Sequence, residues 1–347
     1  MYDFFMNNIY FLVNINIFMF FSFNNINIQE ISCVVPKKKI ERNFFKKRYG
    51  SSIEKKIFLN TRIEKRYFSS DKQTTFSFAT GLIKKSKLDK RTNLKNTDAI
   101  IFISQTPENK APGSSHQIHK KFNIKKECVC IDLNYGCSAY PLGLFFASNL
   151  AQNKNIKNIL LIVGDTISKH LDLNDRSTAS LFGDAVSVTL IKKKKNYKSY
   201  CWLGSDGNGY DHLKIEKNSL SQEILSMDGM EVFSFALKEV PNMIRKLIKK
   251  SKVNPKQIEN LVLHQANFSM NNMIAENTNI SLDKNLHSIF KFGNTSGASI
   301  PLTICHNAKK IFSKKGYTLM AGFGIGLSWS SFLTKLDKTK ILPIYYI

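Results

Sequence analysis

The strongest constraint on this chain is a recurring pattern. Short, wholly apolar runs alternate with segments of helical spacing, and the pattern runs twice. Ile100 to Ser104 follows Asp98, Ile159 to Val163 is closed by Gly164-Asp165, and Ala185 to Ile191 is β-branched. Runs of this length fit strands buried on both faces under covering helices. Between them, His116 to Phe122 and Ser138 to Ala151 read as helices, with Pro141 tolerated in a first turn. Residues 26 to 40 read as a strand leading into a turn at Pro36, and Gln105 to Ser115 as a loop holding Pro107, Pro112 and Gly113. After the charged break Lys192 to Lys198 the pattern resumes. Glu231 to Lys250 is an amphipathic helix, Ile258 to Leu263 a strand, Ala298 to Phe312 a helix and Tyr317 to Ala321 a strand, followed by the turn Gly322-Phe323-Gly324-Ile325-Gly326. The expectation is an α/β chain of two similar halves, 26–195 and 196–347, each a mainly parallel sheet layered with helices. Catalytic residues then fall in loops at strand ends.

Residues 1–25 stand apart as an N-terminal extension of uncertain role. Phe4 to Phe23 carries no charge and is long enough to raise a membrane span or signal peptide. Asn7, Asn8, Asn14 and Asn16 interrupt it, and neither a basic n-region nor a small-residue cleavage site is present. The reading adopted is translation from Met19 and no stable membrane insertion. The net charge of +25 comes largely from Lys runs such as Lys37-Lys38-Lys39. Such runs fit a solvated surface, and an acidic protein partner is the favoured functional reading. No helix-turn-helix, RRM or zinc-finger pattern accompanies the charge, so no nucleic-acid partner is expected. The six cysteines form no Cys-x-x-Cys pair. That pattern points away from a metal site and toward reduced thiols in the cytoplasm.

Three residues stand out chemically. Cys137 follows the strand ending Asp132-Leu133 through Asn134-Tyr135-Gly136, and a helix begins directly after it. A helix start favours thiolate through its dipole and free N–H groups. A free Cys at such a place is also a common small buried hydrophobe. His264 ends an apolar strand in Val262-Leu263-His264-Gln265-Ala266-Asn267, which suits either an active-site loop or a structural role. Asn294 lies in Gly293-Asn294-Thr295-Ser296-Gly297, either a capped turn or an amide aimed at developing negative charge. A Cys, a His and an Asn spread widely through a reduced chain fit nucleophilic thioester chemistry.

Taken in order, these segments resemble the 3-oxoacyl-[acyl-carrier-protein] synthase III family, the initiating ketoacyl synthases of the thiolase superfamily. Supporting matches are Asp175-Arg176-Ser177-Thr178, Phe182-Gly183-Asp184, Met227 to Phe233 and Gly322 to Trp329, and the likeness covers about residues 26 to 337. The resemblance implies a thiolase-like αβαβα fold. It implies acyl transfer to Cys137 and decarboxylative condensation with malonyl-acyl carrier protein. His264 and Asn294 are then the donors to the enolate, and the backbone N–H groups of Cys137 and Ile325 the oxyanion hole. No cofactor is implied; acyl-coenzyme A or acyl-carrier thioesters serve as substrates, and a homodimer is expected. Arg176, Ala111 and Asn267 correspond to substrate or coenzyme A contacts. Lys56 stands where the family often has a Trp for the adenine, and Ala111 where it often has an aromatic at the dimer interface. Both departures point to an unusual primer and to a specialised paralogue. Arg245, Lys246, Lys249 and Lys250 share one helix and are assigned to carrier-protein contact near the entrance. The alternatives are a thiolase-fold acyltransferase acting on a hydroxyl or amine, as in surface-glycan or secondary-metabolite synthesis, and a non-enzymatic basic binding protein.

Overall fold

A computed structural model describes residues 19–313 and 315–347. One sheet has six strands, in the order β15 (Lys340–Tyr346), β2 (Ile26–Val35), β8 (Ala185–Lys193), β7 (Asn158–Asp165), β5 (Ala99–Ile103) and β6 (Val129–Leu133). The other has five: β1 (Phe20–Phe23), β9 (Ser199–Ser205), β14 (Ser328–Lys335), β13 (Tyr317–Gly324) and β12 (Ile258–Leu263). Two short antiparallel pairs stand outside them, β3 (Lys39–Glu41) with β4 (Lys65–Tyr67), and the hairpin β10 (Leu213–Lys217) with β11 (Glu223–Met227).

Two helices, Ala139–Leu150 and Ser299–His306, lie between the sheets and share one apolar core with both. The first carries no charged residue and the second only a terminal His, as a helix covered on both sides requires. Thr75–Lys85 covers the outer face of the six-stranded sheet. Gly229–Ser251 and Phe268–Glu276 cover the outer face of the other. The long helix does so with one stripe, Val232, Ala236, Val240, Met243, Ile244 and Leu247. The result is the layered α/β class expected, helix–sheet–helix–sheet–helix.

Three expectations need correction. The sheets are mixed and not mainly parallel: β8 runs antiparallel to both β2 and β7, and β14 to both β9 and β13. An apolar run reports burial but carries no direction. A parallel return needs a full crossover, and the β7–β8 connection holds only short helical turns. The halves also exchange strands. β15 pairs with β2 in the first half's sheet, and β1, inside the supposed extension, pairs with β9 in the second's. The helix expected over Ala298–Phe312 is broken at Asn307, whose amide donates to Thr303 O at 2.9 Å and His287 O at 3.0 Å. The strand read from residue 26 ends at Val35, with the expected turn at Pro36 after it and β3 beyond. Of the apolar stretch Phe4–Phe23, residues 4–18 lie outside the described residues. Among the described residues no helix is long and apolar enough to cross a membrane.

Candidate active site

The ends of β6 and β12 and the loop after Gly293 bring the three candidates together. Cys137 sits in the turn between β6 and its helix, closed by Ala139 N–H to Gly136 O at 2.9 Å. His264 follows β12 directly and is tied to β13 by its N–H to Ala321 O at 2.8 Å. Asn294 comes from a loop threaded beside residues 181–183: its N–H donates to Leu181 O, and Gly183 N–H donates to its carbonyl, both at 2.9 Å. Gly293 permits this approach, since its φ is +67° and a Cβ would lie 2.6 Å from Leu181 O. All three candidates are at most 4 % exposed and line one cavity of about 230 Å³, whose wall includes Phe182, Leu213, Met227 and Phe323.

The turn after β13 lies against the sulfur. A Cβ on Gly324 would stand 2.9 Å from Cys137 Cβ and 3.2 Å from Sγ. Among the described residues neither the Cys137 N–H nor the Ile325 N–H donates to a backbone carbonyl.

Burial pushes the Cys137 thiol up to about 12, and the Asp165 carboxylate adds to the rise. The Ser296 hydroxyl and the Cys137 N–H oppose it without prevailing. The thiolate expected at a helix start is therefore not the resting state; the group is a thiol. Burial also drives the His264 imidazole down to about 3, against a smaller opposing pull from the Ser296 backbone. The ring is neutral at pH 7. Its Nδ1 is 2.7 Å from Ser299 Oγ, and Phe323 meets its face edge-on with centroids 5.5 Å apart. Nε2 is thus the nitrogen left for the cavity. Asn294 Oδ1 accepts from Ser296 N–H at 2.9 Å, which leaves Nδ2 as the free donor.

The remaining candidates are less concentrated. Asn267 lines the cavity, but its Oδ1 caps the helix Phe268–Glu276 by accepting from Ser269 N–H at 2.9 Å. Arg176 is exposed at the start of a short helix, next to the cavity-lining Ser177. Ala111 is exposed in the loop before helix Ser114–Lys121 and is not part of the cavity wall. Arg245, Lys246, Lys249 and Lys250 are exposed along one side of the helix Gly229–Ser251. That helix meets the cavity only through Gly229, Val232 and Phe233. At 1.5 Å per residue the four lie about 18 to 26 Å further along the axis, so their assignment to the entrance does not hold. The helical face was legible; which end of the helix meets the cavity was not. Sequence reasoning also missed the polar residues behind the triad, half-buried Gln105 and the buried Asp165 and Ser299. Asp165 had a signal, a carboxylate closing a wholly apolar strand. Among the described residues no cluster of His, Cys, Asp and Glu could hold a metal ion.

Comparison with known proteins agrees with this geometry. Residues 131–207 match the family model for 3-oxoacyl-[acyl-carrier-protein (ACP)] synthase III, and residues 248–336 match its C-terminal model. The beta-ketoacyl-[acyl-carrier-protein] synthase III of Clostridium acetobutylicum is 31 % identical over 327 residues, covering 91 % of this chain and all of that protein. The Staphylococcus aureus (strain JH1) enzyme of the same name is 31 % identical over 90 % of this chain and all of its own length. Among solved structures, a 3-oxoacyl-(acyl-carrier protein) synthase from Burkholderia xenovorans LB400 superposes with a TM-score of 0.90 at 27 % identity, covering 95 % of this chain and 99 % of that one.

Proposed function

The chain belongs to the 3-oxoacyl-[acyl-carrier-protein] synthase III family of acyl-transferring condensing enzymes, and from that premise we propose how its residues divide the work. Cys137 attacks an acyl thioester and carries the acyl group as an acyl-enzyme. The Cys137 and Ile325 N–H groups hold the carbonyl oxygen during that attack. Malonyl on acyl carrier protein then enters once the donor's thiol has left. As carbon dioxide leaves, His264 Nε2–H and Asn294 Nδ2–H donate to the thioester oxygen that becomes the enolate. The enolate carbon attacks the acyl-Cys, the sulfur departs, and a 3-oxoacyl carrier thioester is released. None of these steps calls for a metal or redox cofactor.

One observation carries this reading: the three side chains share one apolar cavity, with the His neutral and the Asn amide turned so that its donor is free. Both groups are donors to an anion, which decarboxylation creates and simple acyl transfer does not. Transfer to a hydroxyl or amine is accordingly not favoured. The experiment is incubation with an acyl donor and malonyl carrier protein, following carbon dioxide and product together. Stoichiometric release of both supports the reading, and acyl transfer without carbon dioxide release rejects it.

A neutral His264 fixes the pH behaviour of the second half-reaction. Its folded pKa of about 3 lies far below the ordinary value near 6.5, so the ring stays neutral from about pH 4 upward. Condensation by pre-acylated enzyme should show no inflection between pH 5 and 8 that is lost in His264→Ala. Such an inflection, traced to this residue, would mean that the ring titrates in the working range.

Acyl carrier protein and a cytoplasmic setting follow the family. A homodimer is the proposed assembly, with the unpaired outer edge of β6 as its seam; Ala111 lies close by, since its neighbour Gly113 packs on Asp132 of β6. Arg176 is the proposed contact for the donor's adenine, with exposed Lys56 in the place of an aromatic partner. The four basic residues of the long helix are not proposed as the carrier's landing site. Lys246→Glu and Lys249→Glu should leave KM for malonyl carrier protein within about twofold at physiological salt, because the charges lie more than a Debye length from the cavity. A tenfold rise in KM would return them to the carrier interface.

A further inference from the structure

Ser296 touches all three members of the triad. Its N–H donates to Asn294 Oδ1 at 2.9 Å, and its backbone acts on the His264 ring. Its Oγ is 4.0 Å from Cys137 Sγ. The residue is fully buried and held at φ +48°, a left-handed conformation uncommon for a residue with a Cβ. The hydroxyl accepts from Gln105 Nε2 at 2.9 Å. That leaves its own proton to give, and the carboxylate behind it is Asp165.

Asp165 is 1 % exposed at the end of β7. Its Oδ1 is crowded, accepting from the Gln105 N–H at 2.8 Å, Ser104 Oγ at 3.0 Å and Thr106 Oγ1 at 3.3 Å. Its Oδ2 is buried with no bonded partner. The Ser296 hydroxyl and the Gly297 N–H lie close enough to the carboxylate to favour its charged form. An open carboxylate oxygen inside a protein is costly and calls for a reason. The titratable groups at this corner are Cys137 and Asp165, with His264 lining the same cavity as Cys137; among the described residues no Lys or Arg is a cause of the shift of either.

We propose that Ser296 and Asp165 form the proton path for acylation: Ser296 Oγ takes the thiol proton of Cys137 while passing its own proton to Asp165. The inference rests on Cys137 being the nucleophile. As the S–H bond breaks, its electron pair forms the bond from Sγ to the thioester carbonyl carbon. The carbonyl then re-forms, the bond to the donor's sulfur breaks, and the proton returns along the same path to that departing thiolate. Asp165 ends as it began, and no other reactant is needed. Ser296 is then a catalytic residue in contact with the reacting sulfur, and Asp165 a positioning residue that acts through it. This assignment answers a question the triad leaves open. A thiol pushed up to about 12 must lose its proton, and a His264 driven down to about 3 is a poor acceptor. Burial raises the Asp165 carboxyl above its ordinary range, which makes it the better one.

The test uses full-length enzyme with Ser296→Ala, Ser296→Gly and Asp165→Asn. Each Ser296 variant keeps the backbone N–H that holds Asn294, and Gly also tolerates the positive φ if Ala folds poorly. Two rates are read against pH: acyl-enzyme formation from acetyl-coenzyme A or an acyl-carrier donor, and alkylation of Cys137 by iodoacetamide, which needs no acyl donor. The path predicts that wild type keeps a neutral-pH rate in both reactions. All three variants should lose it on the order of 10²-fold, with a remaining rate that rises about tenfold per pH unit. Wild-type rates and an unchanged pH profile in folded variants would overturn the path. Wild-type enzyme that is alkylated at Cys137 with the predicted pH dependence, yet acylated by no thioester, would uphold the proton path and count against the synthase reading.

Discussion

Replacing Cys137 with serine is expected to abolish the acyl-enzyme and to lower condensation on the order of 10³-fold or more. Serine fits the site, because the two side chains are nearly isosteric and the position is closely packed by Gly324. The loss is therefore chemical and not structural. A hydroxyl at this place has a far higher barrier to losing its proton than the thiol, and burial already works against any anion here. The oxyanion donors survive the change, so donor thioester should still bind. Rapid-quench measurement of acyl-enzyme, with melting temperature as the control for folding, decides it. Cys137→Ser enzyme that is acylated at the wild-type rate would move the nucleophile elsewhere. The other free thiols make poor substitutes: Cys33, Cys201 and Cys305 are buried in the core, and Cys128 and Cys130 lie on the edge strand region away from the cavity wall.

The second large effect concerns the other half of the cycle. His264→Ala and Asn294→Asp should each leave acylation within a few-fold of wild type and lower decarboxylation of malonyl carrier protein about 10²- to 10³-fold, the usual cost of one lost oxyanion donor. Aspartate is the informative change at position 294. It keeps the oxygen that accepts the Ser296 N–H, so the loop stays anchored, and it replaces the donor with an acceptor facing the enolate. Asn294→Ala would also strip the Ser296 N–H of its partner, a buried loss of about 1–3 kcal/mol that blurs the result. At position 264, Nδ1 is engaged by Ser299, so removing the ring also leaves that hydroxyl unpaired. A stability measurement beside the kinetics separates the two effects. Normal carbon dioxide release by the Asn294→Asp enzyme would remove Asn294 from the mechanism.

Much of this was open to reading from the sequence, for definite reasons. β5 is wholly apolar and β7 carries the apolar run Ile159 to Val163, because both are covered on both faces, and turn residues mark their ends. β14 was missed because it reads Ser-Trp-Ser-Ser-Phe-Leu-Thr-Lys, although nearly all of it is buried. Its serines serve the nucleophile turn: Ser330 Oγ donates to Ser138 O at 2.6 Å, and Ser328 Oγ meets Ser138 Oγ at 2.7 Å. A strand built from hydroxyls that pair across 190 residues leaves no periodic trace. β1 is four residues long and sits in an apolar stretch that looked like an extension. Strand direction was hidden too, because burial does not encode it. The triad was readable as three ordered motifs. What each member is doing was not, since protonation depends on burial: the helix start at Cys137 promised a thiolate, and the closed cavity around it keeps a thiol.

The condensing cycle turns on Cys137 holding an acyl group that malonyl carrier protein then removes. Intact-protein mass spectrometry with peptide mapping follows both events, using a panel of acyl-coenzyme A and acyl-carrier donors. The expected outcome is a single mass increase equal to one acyl group, located on the peptide containing Cys137. That increase should disappear on addition of malonyl carrier protein as carbon dioxide and a 3-oxoacyl carrier thioester form. Acylation at another residue, or an acyl-Cys137 that malonyl carrier protein leaves in place, would overturn the assignment.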